Sequence, residues 1–144
     1  MVNESRKNKK YINIKNKKNI TKKGGKAIGA GGFGCVFSPA LKCKNNKNRK
    51  TNYVSKLLLK KHAENEYKEI NNLKNIVKNI INYQNYFLVD NINICKPEKL
   101  SSKDIENINI CNSILEITNN NLYQINSKLD KFKILNIPYG GIDL

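Results

Sequence analysis

The sequence predicts a small α+β domain with five strands behind a basic tail, and three observations carry this prediction. A glycine-rich turn lies between apolar, β-prone residues at positions 27–37, which is typical of a hairpin. Apolar residues then recur at three- and four-residue spacing after position 62, as on one face of a helix. Further short apolar runs follow, and 144 residues are enough for one modest hydrophobic core.

The tail comprises residues 1–24, which are rich in Lys and Asn and poor in apolar side chains. Such a composition buries too little surface to offset the entropy lost on ordering, so we expect a flexible arm before a domain at 25–144. The formal net charge of +16 lies at the front of the chain: residues 1–61 hold 18 basic side chains and one acidic, whereas residues 62–144 hold 9 and 10. This distribution leaves two interpretations open, an arm that contacts acidic surfaces and one that binds nucleic acid electrostatically.

Membrane insertion and metal binding are not expected from the sequence. No run approaches the roughly 18 apolar residues that a membrane span needs, and the first residues lack the apolar core of a signal peptide, so we expect an intracellular protein. The cysteines form no C-x-x-C pair, which argues against a zinc site. In an intracellular chain the same cysteines predict reduced thiols rather than disulfides, at Cys35, Cys43, Cys95 and Cys111.

The front half of the domain contains the clearest elements. The hairpin is followed by Pro39, which discourages a helix, and by a polar stretch at 42–52 that is typical of a hairpin tip. Tyr53 to Leu59 predicts a third strand. A helix from His62 to Ile81 is predicted by one apolar face. This face comprises Ala63, Tyr67, Ile70, Leu73, Val77 and Ile80.

The second half contains weaker signals. Tyr86 to Asp90 predicts a fourth strand. A capping-box-like start at Ser101 to Asp104 predicts a second helix. Its apolar positions are Ile105, Ile108, Cys111 and Leu115. Phe132 to Ile137 predicts a final strand, which the following proline and glycines would stop.

The segment from Gly29 to Val36 fits the pattern G-x-G-x-x-G-x-V, whose chemistry depends on its flanks. A dinucleotide-binding fold would need a helix directly after the glycines and an acid about 20 residues later, and the chain has neither. The other use of the pattern is a β-turn-β flap whose N–H groups approach ATP phosphates. That use requires a strand lysine and then a helical carboxylate, which Lys56 and Glu66 supply, with Glu69 as the reserve candidate.

Taken together, these features resemble the N-terminal lobe of protein kinases over residues 26–144. The ending from Pro138 to Leu144 resembles a kinase hinge, and is particularly similar to haspin-like kinases and to serine/threonine kinases of large DNA viruses. The resemblance implies a five-stranded antiparallel sheet with an αC-type helix. It also implies that the predicted second helix is an insertion before the last strand.

The resemblance further implies an ATP site and a role for each of its residues. Val36 and Val54 would sandwich the adenine, Pro138 and Gly140 would offer it backbone hydrogen bonds, and Asp143 would reach the ribose. Lys56 and Glu66 would form the catalytic pair. The complete expected ATP-binding set is Ile28, Gly29, Gly31, Gly32, Gly34, Val36, Val54, Lys56, Pro138, Gly140 and Asp143.

Phosphoryl transfer needs an H-R-D aspartate, a catalytic-loop asparagine and a D-F-G aspartate that holds Mg²⁺. The single histidine is His62, and no aspartate precedes Phe-Gly. We therefore expect a truncated or split kinase that binds ATP, is inactive alone, and binds Mg²⁺ only when a separate C-lobe chain completes it. The alternatives are a non-catalytic, pseudokinase-like binding module and nucleic-acid binding through the tail.

Overall fold

The computed structural model describes residues 25–46, 52–117 and 122–140, so the predicted tail at 1–24 and the predicted ribose contact Asp143 lie outside the described residues. The described chain is α+β with a five-stranded antiparallel sheet in the order β1-β2-β3-β5-β4, which confirms the predicted fold class at this level. The strands are β1 Lys26–Gly31, β2 Gly34–Ser38, β3 Tyr53–Leu59, β4 Asn93–Cys95 and β5 Phe132–Pro138. The α-helices are α1 Lys60–Val77 and α2 Leu122–Ser127.

The front of the sheet follows the predicted hairpin and third strand. β1 and β2 pair antiparallel around a two-residue turn, with Gly31 opposite Gly34. The turn contains Gly32 at φ +58°, a conformation that glycine adopts without steric cost. β3 spans the predicted residues and pairs with β2, which brings Val36 opposite Lys56.

Strand β5 lies inside the sheet, where it pairs with β3 on one side and with β4 on the other. The predicted fourth strand at Tyr86–Asp90 is wrong, because the strand that pairs with β5 is Asn93–Cys95. The apolar run at 86–88 is instead exposed and follows a short 3₁₀ turn at Tyr83–Asn85. A short apolar run does not distinguish a buried strand from an exposed loop, which is the reason for the error.

Helix α1 confirms the long predicted helix, although it ends at Val77 rather than Ile81. Its apolar face is only partly covered by the sheet. Ala63 and Val77 are buried, whereas Leu73 and Ile80 are 41% and 47% exposed. The end of the helix therefore leaves apolar surface in solvent.

The predicted second helix over the Ser101 segment is wrong. Ser101 and Asp104 do form the reciprocal bonds of a capping box, since the Ser101 N–H donates to Oδ2 of Asp104 at 2.7 Å and the Asp104 N–H donates to the Ser101 hydroxyl at 3.3 Å, but a series of turns follows. Within it the regular element is a 3₁₀ turn at Ile108–Cys111, preceded by Asn107 at φ +60°. Asparagine has low helix propensity and tolerates this conformation, so the asparagines of this segment favour turns. The short helix α2 lies further on, in a region for which the sequence predicts none.

The four cysteines form two disulfides, so the prediction of reduced thiols is wrong. Cys35 on β2 is bonded to Cys111, and Cys43 is bonded to Cys95 on β4. The paired residues are 76 and 52 positions apart, and only the fold brings their Cα atoms to 5.6 and 5.7 Å. Disulfides are typical of chains that fold in oxidising surroundings, whereas the prediction had assumed a reducing compartment.

The core lies on both faces of the sheet. One face packs on the segment 100–129 through residues such as Phe37, Leu57 and Ile134, and this is the larger cluster. The opposite face packs on α1 through Leu58 and Leu135. Within the described parts of the chain, no helix is long and apolar enough to cross a membrane.

Candidate functional site

Lys56 and Glu66 form a two-pronged ion pair between β3 and α1. The Nζ atom of Lys56 lies 2.8 Å from each carboxylate oxygen of Glu66. The side chains are 20% and 29% exposed, so the pair is partly shielded yet still reachable from solvent. The reserve candidate Glu69 is exposed, and Glu66 is the glutamate that contacts Lys56.

The sheet places apolar side chains beside this ion pair. Val36 lies opposite Lys56 on β2, and Leu135 lies opposite it on β5. Val54 precedes Lys56 by two positions and therefore points to the same face, where it lies opposite Ile137. Val36, Val54 and Ile137 are half-buried. The face thus offers an ammonium group next to a shallow apolar surface, a combination suited to a flat ring that carries anionic groups.

The glycine-rich turn lies over the ion pair. A Cβ atom placed on Gly32 would be 4.0 Å from Nζ of Lys56. A Cβ on Gly34 would lie 2.8 Å from both Cγ of Leu58 and Cγ of Lys56, so this glycine is required by packing. At Gly29 and Gly31, in contrast, an added Cβ would meet no atom within 4 Å. The open space at Gly29 and Gly31 leaves the fold no evident need for glycine at either position.

We expect Gly34→Ala to lower the free energy of unfolding by about 1–3 kcal/mol, because the new methyl group overlaps buried Leu58 and the stem of Lys56. Gly29→Ala is the matched control and is expected to change stability by less than about 0.5 kcal/mol, the usual range at surface positions. Urea denaturation of the two variants measures both values. Equal stability of the variants would contradict the described packing of the turn.

Phe33, at the tip of the turn, stacks on His62 at the start of α1. The ring centroids are 4.2 Å apart and the planes differ by 3°. This contact holds the tip of the turn against the helix that carries Glu66. The sequence does not predict it, because the two residues are 29 positions apart and neither belongs to the expected apolar faces. Ile28, expected to line the site from β1, is 55% exposed.

The expected hinge residues lie at the end of β5. Pro138 pairs with Tyr53 in the sheet, and the Tyr139 N–H donates to the Asn52 carbonyl at 2.8 Å. Gly140 is exposed, and a Cβ placed on it would lie 3.9 Å from Leu88. The end of β5 thus lies next to Val54, because Pro138 pairs with Tyr53, the residue that precedes Val54 on β3.

Two further ion pairs hold the region around α1. Lys133 on β5 lies 2.8 Å from Glu64, and its hydrogen bond lowers the pKa of that carboxyl. Lys74 and the Tyr83 hydroxyl both donate to Asp90 and lower the pKa of its carboxyl. A lowered carboxyl pKa stabilises the fold above the unfolded pKa, and this contribution is lost as pH falls through the folded pKa. The attachment of α1 should therefore weaken in acid, and because the hydrogen bond to Asp90 raises the pKa of Lys74, that pair should also be lost in strong alkali.

The described residues contain no group of three or more His, Cys, Asp or Glu side chains that could hold a metal ion. Searches against models of protein families, curated proteins and solved structures found no match to this chain.

Proposed function

We propose that this chain is the ATP-binding lobe of a protein kinase of the serine/threonine type, which depends on a second chain for phosphoryl transfer. The observation that carries the proposal is the ion pair between Lys56 on β3 and Glu66 on α1. In protein kinases a lysine on the third strand and a glutamate on the following helix form such a pair, and the lysine contacts the nucleotide phosphates. The pair lies beneath a turn of the pattern G-x-G-x-x-G, as that chemistry requires.

Each residue of the site would contact a different part of ATP. Lys56 would attract the phosphates, and Glu66 would fix the direction of its ammonium group. Backbone N–H groups between Gly29 and Gly34 would approach the phosphates, which a side chain at Gly31 would prevent. Val36 and Val54 would contact the adenine, and the Pro138 carbonyl and Gly140 N–H would bond its edge.

A C-lobe on a second chain would supply the Mg²⁺ ligands and the base that phosphoryl transfer needs. The phosphoryl group itself would come from ATP. The proposal is supported by apolar side chains exposed at the end of α1 and in the segment after it, a feature typical of interaction surfaces. These are Leu73, Ile76, Ile80, Ile81, Tyr86 and Leu88.

Titration of the chain with ATP, followed by amide NMR, tests the proposal. Because this lobe covers only one side of the nucleotide, binding should be weak, with a Kd of about 1 mM. This Kd corresponds to a binding free energy of about 4 kcal/mol. Lys56→Ala and Gly31→Val should each abolish it, because one removes the phosphate contact and the other blocks the backbone approach. Lys61→Ala removes an exposed lysine from α1 and is the control that should bind as the wild type does.

The expected chemical-shift changes lie at Gly29 to Val36 and at Tyr139 and Gly140. Shifts confined to other residues, or unchanged binding by Lys56→Ala, would contradict the proposed site. The pseudokinase-like alternative is a non-catalytic module that binds nucleotide or a partner, so ATP binding alone does not separate it from the proposal. Phosphoryl transfer to protein in the presence of Mg²⁺ and a C-lobe chain separates the two, since only the proposed kinase lobe would support it.

A further inference from the structure

A second surface lies at the end of the sheet where the Cys43–Cys95 disulfide joins two chain segments. The Lys44 N–H donates to the Lys96 carbonyl at 2.9 Å, and the Glu98 N–H donates to the Lys42 carbonyl at 2.9 Å. Between these bonds Cys43 forms an isolated antiparallel bridge with Pro97. Residues 42–44 and 96–98 are thus held in fixed register by the disulfide and by two backbone bonds.

The backbone bonds bring charged residues together. Leu41 and Pro97 are buried, whereas Lys42, Lys44 and Lys96 are exposed. The bond between Lys44 and Lys96 brings two like charges near each other, and the bond between Glu98 and Lys42 brings two opposite charges near each other. We call the exposed side chains Lys42, Lys44, Lys96 and Lys99 the lysine platform.

The charge of the lysine platform is not neutralised within the described residues. Lys56, Lys74 and Lys133 each have an acidic partner, whereas no ion pair between described residues involves a platform lysine. Its acidic neighbour is Glu98, whose carboxylate accepts a hydrogen bond from the Lys99 N–H at 3.0 Å. The platform therefore presents net positive charge to solvent.

The most basic parts of the sequence are attached to the same region. Residues 1–24, with nine basic side chains and one acidic, join the described chain at Gly25. A Cβ on Gly25 would overlap the Pro39 carbonyl and lie 3.3 Å from Leu41, which directly precedes the platform. Residues 47–50 follow the first platform segment and add three more basic side chains. Both basic segments are thus joined in sequence to described residues, at Gly25 beside Leu41 and at Asn46 after Lys44.

We propose that the lysine platform binds the phosphate backbone of duplex nucleic acid without sequence preference. Exposed ammonium groups with no ion-pair partner among the described residues can contact phosphates, and the counterions released from the duplex favour binding. No large apolar side chain is exposed within residues 42–46 or 95–99, which disfavours insertion into a lipid surface. Neither segment contains an aromatic residue on which an unpaired base could stack, so a duplex is favoured over a single strand.

Fluorescence anisotropy with a labelled short duplex tests this proposal on the full chain. The variant Lys42→Gln/Lys44→Gln/Lys96→Gln should lower the slope of log K against log salt by about 3, since each lost phosphate contact lowers it by about 1. Lys61→Gln/Lys68→Gln/Lys78→Gln removes equal charge from exposed positions near or on α1 and should keep the slope. Since the three substituted lysines are exposed and form no ion pair with another described residue, the platform variant should melt no lower than the wild type.

Three results would overturn the proposal. The first is an equal loss of slope in both triple variants, which would mean that only total charge matters. The second is an unchanged slope in the platform variant together with loss of binding when residues 2–24 are deleted, which would assign binding to the tail alone. The third is tighter binding to phosphatidylserine vesicles or to single strands than to the duplex at equal salt. The proposal is supported if the slope falls in the platform variant but not in the control variant, and if the duplex binds more tightly than single strands or vesicles do.

Discussion

Opening the Cys35–Cys111 disulfide is expected to lower the free energy of unfolding by about 4 kcal/mol. The bond closes a loop of 76 residues, and a crosslink over such a distance removes about this much entropy from the unfolded chain. Domains of this size are stable by only about 5–15 kcal/mol. Reduction should therefore bring the chain close to unfolding at 25 °C, and the effect should exceed that of most single substitutions.

Urea denaturation of the oxidised protein and of Cys35→Ala/Cys111→Ala measures the difference. Cys43→Ala/Cys95→Ala is the matched comparison, with a loop of 52 residues and an expected loss that is smaller by only a few tenths of a kcal/mol. Alkylation of the unfolded, unreduced protein followed by mass spectrometry should detect no free thiol. Modification at all four cysteines, or equal stability with and without reductant, would contradict the disulfides.

Asn136→Leu is expected to destabilise the protein by about 3 kcal/mol, because it removes the centre of a buried polar network. Asn136 is 1% exposed, and its Oδ1 accepts from the Ser55 hydroxyl at 2.6 Å. Its Nδ2 donates to Oδ1 of Asn93 at 3.1 Å and lies 3.2 Å from the sulfur of Cys43. Leucine satisfies none of these groups, and each buried group left without a partner costs about 1–3 kcal/mol.

Thermal or urea unfolding gives the value for this variant. Asn71→Leu on the exposed face of α1 is the control and should change stability by less than about 0.5 kcal/mol. Adding Ser55→Ala to Asn136→Leu should cost less than the sum of the two single changes, since the double variant removes both ends of one hydrogen bond. Additive losses would mean that the Ser55–Asn136 bond contributes no coupling energy, and a loss under about 1 kcal/mol for Asn136→Leu would mean that the network contributes little.

Local sequence patterns predicted the front of the domain well. The hairpin, β3 and α1 each depend on features within a few neighbouring residues: a glycine turn, β-prone residues and a helical period. The pairing of Lys56 with Glu66 was also accessible, because both elements that carry these residues were identified and the resemblance to kinases favoured Glu66 over Glu69. Local patterns were enough to predict these elements because elements that are consecutive in the sequence also pack together here.

The features that were missed depend on contacts between distant residues. Tyr86 to Leu88 has strand-like composition, but β5 pairs with Asn93–Cys95 instead, and nothing local separates the two segments. Both disulfides and the Phe33–His62 stack join positions that only the sheet brings together. The apolar period after Ser101 correctly marked buried residues such as Ile108, yet its asparagines favour turns over a helix.

The order of the cysteines along the chain gives the protein a nested covalent topology. The ring closed by Cys43 and Cys95 lies entirely inside the ring closed by Cys35 and Cys111. Both Lys56 and Glu66 lie within the inner ring, whereas β1 and β5 lie outside both rings. A single backbone cleavage between residues 44 and 94 would leave one covalent molecule that still carries every element. A cleavage between residues 112 and 131 would release β5, so this internal strand of the sheet is retained by non-covalent contacts and one peptide connection.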